Sequence, residues 1–153
     1  MKFFYGCLTT NNRQKKVGRS LDDQCILFGE PEKCFHIFNC RHKELTGKRK
    51  TLWEEAQKKL RKCITPYALR ALNIGFMQER TEEDIQDSDQ FITNKDTWAV
   101  YRRQFQIGWR QIYLGHFHKQ WRRTLLFHTD GNEEAGLTKV IAVMWSFGLH
   151  LWQ

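Results

Sequence analysis

Trp98, Tyr101, Phe105, Trp109, Ile112 and His116 recur at intervals of three or four residues, and Trp121 continues the series. Apolar side chains at that period line one face of an α-helix, which must then be buried against another element. Leu137, Val140, Ile141, Met144, Trp145, Leu149 and Trp152 repeat the pattern near the end of the chain. Two such stripes oblige the chain to fold as helix packed on helix. The spacing predicts helices over residues 97–127 and 133–152, the second opened by the turn Asp130-Gly131-Asn132 with Glu133 and Glu134 on its positive end.

Leu45, Leu52, Ala56, Leu60 and Cys63 give an earlier helix over 44–64, with Trp53 beside the stripe. Thr51 followed by Glu54 is a possible capping box and an alternative start. Pro66 forces Thr65 out of the helical region, so Thr65-Pro66 is the N-cap and first position of a helix over 66–78. Gly108 and Gly115 fall inside the long segment, seven apart and thus on nearly one face. The expected role for both is close approach of a backbone or a large indole.

Residues 1–43 break every element early, at Gly18, Asp22-Asp23, Gly29-Glu30-Pro31-Glu32 and Asn39. Short strands at 25–28 and 34–38 would make at most a β-ribbon, which cannot hold a core alone. The expectation is a mainly α fold of about four helices, with a small irregular N-terminal segment carrying that ribbon. Residues 1–43 form a basic arm and 44–153 a helical domain, joined in one cooperative unit. A chain of 153 residues has no room for more. No apolar run reaches a membrane span of roughly 20 residues, and the N-terminus is too polar after Leu8 for a secretory signal. With five cysteines at irregular spacing, the expected setting is intracellular, nuclear or cytoplasmic.

The net charge of +8 is unevenly spread. Residues 41–62 carry nine basic and three acidic side chains, residues 79–96 seven acidic and two basic, and residues 101–123 six basic and none acidic. The acidic run is expected to be a linker. The separation favours an acidic partner, nucleic acid first. The expected phosphate contacts are Lys48, Arg49, Lys50, Lys58, Lys59 and Lys62 in one helix, with Arg102, Arg103, Arg110, Lys119, Arg122 and Arg123 in another. Arg41 and Lys43 extend the first set. Exposed members of the Trp98, Trp109 and Trp121 set would stack on unpaired bases.

Catalytic signatures are missing. There is no phosphate loop, no dinucleotide loop, no His-Glu-x-x-His and no serine in a nucleophile elbow. The expectation is a protein that is not an enzyme and takes no small-molecule substrate. A structural or protein-interaction module, self-associating as a homodimer through its last helix, is the alternative to nucleic-acid binding. That helix has no C-cap in the sequence, an expected sign of a longer parent chain.

Cys25, Cys34, His36, Cys40 and His42 lie within 18 residues. Four sulfur and nitrogen ligands from such short-range groups would hold zinc and supply the folding energy that a coreless segment lacks. Buried free thiols with surface histidines are the other reading.

Cys25-Ile26-Leu27-Phe28-Gly29-Glu30-Pro31-Glu32, followed by His36-Ile37-Phe38-Asn39-Cys40, resembles the zinc-knuckle segment downstream of the reverse transcriptase domain in non-LTR retrotransposon proteins of algae and other protists. Gln106-Ile107-Gly108-Trp109 with Gly115 and Trp121 is similar to an Ile-Gly-Trp, glycine, tryptophan signature in the same tails. Val143, Trp145 and Trp152 resemble their terminal tryptophan-rich helix. The resemblance implies a noncatalytic fragment of a mobile-element protein. It also implies Cys25, His36 and Cys40 as zinc ligands. Phe28 stands where the family has a second cysteine, which leaves Cys34 as the nearest fourth ligand, then His42 or Cys7.

Overall fold

The computed structural model describes residues 10–33, 36–80, 94–126 and 133–153. Among them the fold is mainly helical, with no strand. The elements are α1 (Asn11–Lys16), α2 (His36–Asn39), α3 (Lys43–Leu60), α4 (Pro66–Arg80), α5 (Lys95–Ile107), two 3₁₀ segments (Trp109–Leu114 and Lys119–Thr124) and α6 (Glu133–Trp152). Helix α3 packs on α6 and α4 on α5, while the 3₁₀ segments fill the space between these pairs.

Helix α3 begins at Lys43, so Thr51 is not its cap. Thr51 sits mid-helix and its hydroxyl donates back to Gly47 O at 3.3 Å. Trp53, Ala56 and Leu60 form the buried stripe. The Trp53 ring stacks on Phe76 of α4 at 4.4 Å, and its Nε1 donates to Asn73 Oδ1 at 3.0 Å. Phe147 of α6 meets both rings edge-on. Helix α4 starts at Pro66 as the proline rule requires.

The expected 97–127 helix is three pieces. Helix α5 opens on Asn94, whose Oδ1 accepts from Asp96 N and Thr97 N at 2.8 and 3.0 Å. It closes at Gly108, where φ is +91°, a value that only glycine adopts without strain. Gly115 has φ +83° and ends the first 3₁₀ segment. The glycines expected inside a helix are therefore its breaks. The buried aromatics lie on both sides of these corners, with Trp109 and Tyr113 between the two glycines and Trp121 after the second. Gly115 still admits an indole, since a β-carbon there would meet Trp145 Cζ2 at 3.0 Å, whereas one at Gly108 would meet only Gln111 at 3.7 Å.

The expected β-ribbon is likewise absent from the described residues. It reduces to one antiparallel bridge between Gln24 and Pro31, closing a turn in which Gly29 N donates to Cys25 O at 2.7 Å. Of the residues expected in the second strand, 36–38 belong to the helical turn α2 instead, while 34 and 35 lie outside the described residues. That turn drives Phe38 into the main core, 4.0 Å from the Tyr113 ring. Thr10 caps α1, which is tied to the bridge region by Asn11 Nδ2 to Gln24 O at 2.7 Å and by the Lys15–Asp23 ion pair at 3.0 Å. The linker expected over 79–96 lies mostly outside the described residues, as does the turn before α6. Among the described residues no helix is long and apolar enough to cross a membrane.

Candidate functional site

Turn 25–29 and helix α2 bring three metal-ligating side chains together. One ligand atom each from Cys25, His36 and Cys40 lies within 4.8 Å of the others. Tetrahedral ligands about 2.3 Å from an ion sit about 3.7 Å apart, so modest side-chain movement closes the set around zinc. Both cysteines are buried and reduced. His36 Nε2 is buried with no hydrogen-bond partner among the described residues, as a nitrogen awaiting a ligand would be. The donor set, two soft sulfurs and an imidazole, suits zinc.

Burial pushes the Cys40 thiol above its ordinary pKa. The backbone N–H of His42 opposes that shift, the neighbouring Cys25 adds to it and the Arg49 cation opposes it. Protons must therefore leave when a metal enters. Cys34 and Cys7 lie outside the described residues. His42 keeps a buried Nδ1 without a partner, yet it does not join the three-residue group. Phe28 is exposed at the turn and has no donor atom to offer a metal. Cys63 is half-buried and far from this role, its thiol donating to Lys59 O at 3.5 Å.

Arg49, expected among the phosphate contacts, is 2% exposed. Its guanidinium donates to Ile37 O at 3.1 Å, Cys40 O at 3.0 Å and Thr46 Oγ1 at 3.2 Å. It is a brace between α3 and the end of α2, out of reach of a phosphate backbone. Burial of this one arginine fixes the position of the cysteine beside it. The other eleven expected contacts, Lys48, Lys50, Lys58, Lys59, Lys62, Arg102, Arg103, Arg110, Lys119, Arg122 and Arg123, are all exposed.

The two basic stretches meet. Ile64 and Leu125 form an antiparallel bridge, with Thr65 N donating to Thr124 O at 2.8 Å and Leu126 N to Cys63 O at 3.0 Å. Tyr67 Oη donates to Arg123 O at 3.3 Å across the same seam. Lys58, Lys59, Arg61 and Lys62 lead into one side of the bridge, and Arg122 and Arg123 into the other. On the far side of the second 3₁₀ segment, Arg103 and Lys119 both act on His118. Burial first, then these two cations, hold its imidazole below the ordinary value.

Gln104 organises this end. It is fully buried; its Nε2 donates to Gly108 O and His116 O at 3.2 Å each, and its Oε1 accepts from His118 N at 3.0 Å and Trp121 Nε1 at 2.9 Å. Four bonds at one amide hold both glycine-broken corners. The sequence signal for it was a polar residue on the apolar stripe, one helical turn after Val100 and Tyr101. Of the three tryptophans expected to be available for stacking, Trp109 and Trp121 are buried and Trp98 is half-buried. The chain matches no protein-family model, no curated protein and no solved structure.

Proposed function

We propose that this is a noncatalytic nucleic-acid-binding domain that grips the phosphate backbone, with its N-terminal segment held by zinc. The observation that supports the reading is the Ile64–Leu125 bridge, which joins the basic end of α3 to the acid-free segment 101–123. The contact residues are Lys58, Lys59 and Lys62 with Arg122 and Arg123 at the seam, and Arg102, Arg103 and Lys119 beyond it. Arg61, not foreseen in the sequence, joins them at the seam. Among the described residues none of these cations is ion-paired within 4.0 Å. Such contacts give affinity without reading sequence. The motif resemblance supports a place in a mobile-element protein whose catalytic parts lie elsewhere.

Zinc would be held by Cys25, His36 and Cys40 and would supply folding energy rather than a reactive centre. Arg49 and the His42 N–H orient Cys40 toward it.

Anisotropy titration of a labelled 20-nucleotide RNA against the intact chain tests the surface. If about five phosphates are neutralised, affinity should fall on the order of 100-fold between roughly 50 and 200 mM salt. The double variant Arg122→Glu/Arg123→Glu should bind more weakly and with a shallower salt slope. Salt-indifferent binding, together with concentration-dependent self-association, would favour an interaction module and sink the proposal. Metal analysis of the reduced, purified chain should find about one zinc per molecule, and well under one equivalent removes the metal from the reading.

A further inference from the structure

We infer that Trp98 and Phe105, on either side of Tyr101 on α5, form a platform on which unpaired nucleic-acid bases stack, giving the domain a preference for single strands over duplex. The inference rests on the phosphate-binding reading and adds a ligand class to it.

Three ring planes run nearly parallel along one side of α5. Trp98 and Tyr101 have centroids 5.8 Å apart and planes 17° apart, and Tyr101 and Phe105 are at 6.5 Å and 19°. The middle ring is buried and leans on Trp109 at 5.3 Å, which fixes the row to the core. The outer rings reach solvent to different degrees: Phe105 is 44% exposed, and Trp98 is half-buried with part of its ring packed against the core. One exposed aromatic ring is ordinary on a protein surface. A fixed row whose outer members meet solvent is a stacking surface.

The charge beside the row selects the occupant. Arg102 is exposed, four residues after Trp98 and three before Phe105, so on the helix surface it neighbours both rings. From Tyr101 to Arg123 no acidic residue intervenes. An aromatic face with a cation alongside matches a base and its phosphate. In a duplex that base face is already stacked, and only an unpaired strand can offer it.

The test compares one 20-nucleotide sequence as single strand and as duplex, in RNA and in DNA, at fixed salt. The single strand should bind more tightly in the intact chain. Phe105→Ala should weaken single-strand binding by roughly 5- to 150-fold and leave duplex binding unchanged, while Phe105→Tyr should retain the preference. Trp98 emission, read as the difference between the intact chain and Trp98→Phe, should be quenched by the single strand. Equal losses for both strand forms, or no loss in either, would overturn the platform and leave the phosphate surface standing. Failure of the intact chain to bind either form in a salt-dependent way would overturn both.

Discussion

A β-carbon at Gly75 would overlap the six-membered ring of the Trp109 indole. Helix α4 therefore meets the first 3₁₀ segment at van der Waals distance, and the fit needs a hydrogen where any other residue has a methyl. Gly75→Ala gains about 1 kcal/mol of helix propensity yet forces the indole or the helix to move. Overpacking of this kind costs about 1–3 kcal/mol, so the variant should be destabilised on balance. Urea denaturation followed by circular dichroism checks it, and a stabilised variant would show the contact to be loose.

Gln104→Leu keeps the volume of a fully buried side chain and removes all four of its hydrogen bonds. Each buried group left unmet costs about 1–3 kcal/mol. The expected loss is at least about 2 kcal/mol. Amide hydrogen exchange should quicken most in residues 108–124, because both corners hang from this side chain.

Stability should depend on pH through His118. Its Nδ1 accepts from Gln120 N at 3.1 Å, so the neutral ring carries its proton on Nε2, and a second proton would abolish that cap. The folded-state pKa lies below the ordinary 6.5. Below pH 6.5 the unfolded chain thus binds more protons than the folded one, and stability falls as pH drops toward the folded value. Above that window His118 contributes no slope. His118→Asn keeps a capping oxygen without a titrating group, so between pH 7.5 and 5.5 its melting temperature should fall less than that of the intact chain.

Zinc affinity should weaken on acidification, because the thiols must be deprotonated to bind and burial already holds Cys40 in its neutral form. Chelation should speed amide exchange in residues 20–43 more than in α3 or α6. Cys40→Ser should lose the metal. Arg49→Met should leave the carbonyls of Ile37 and Cys40 without this donor and destabilise the chain by about 1–3 kcal/mol. Thermal melts with and without added zinc measure both.

Local rules carried a good part of this fold. The 3.6-residue period marked α3, α4 and α6, because a helix that buries one face must repeat its apolar residues at that interval. Proline geometry fixed the start of α4 at Pro66, since that constraint acts between adjacent residues. The cluster of cysteines and histidines between 25 and 42 was legible in the sequence, the motif resemblance singled out Cys25, His36 and Cys40 from it, and their ligand atoms lie within 4.8 Å of one another. Other features depend on partners far along the chain. A period cannot show that Gly108 and Gly115 turn the backbone, because the corners are held by the Gln104 amide and the packed rings of Trp109 and Trp121, contacts made only in the folded chain. Arg49 looks like any surface arginine until the carbonyls of Ile37 and Cys40 come to meet it. The seam at Ile64 and Leu125 joins two segments that no local signal relates, since a β-bridge is specified by two distant backbones at once. Side-chain chemistry and helical period were written in the sequence, while the places where backbones meet were settled by packing, which is a property of the whole chain.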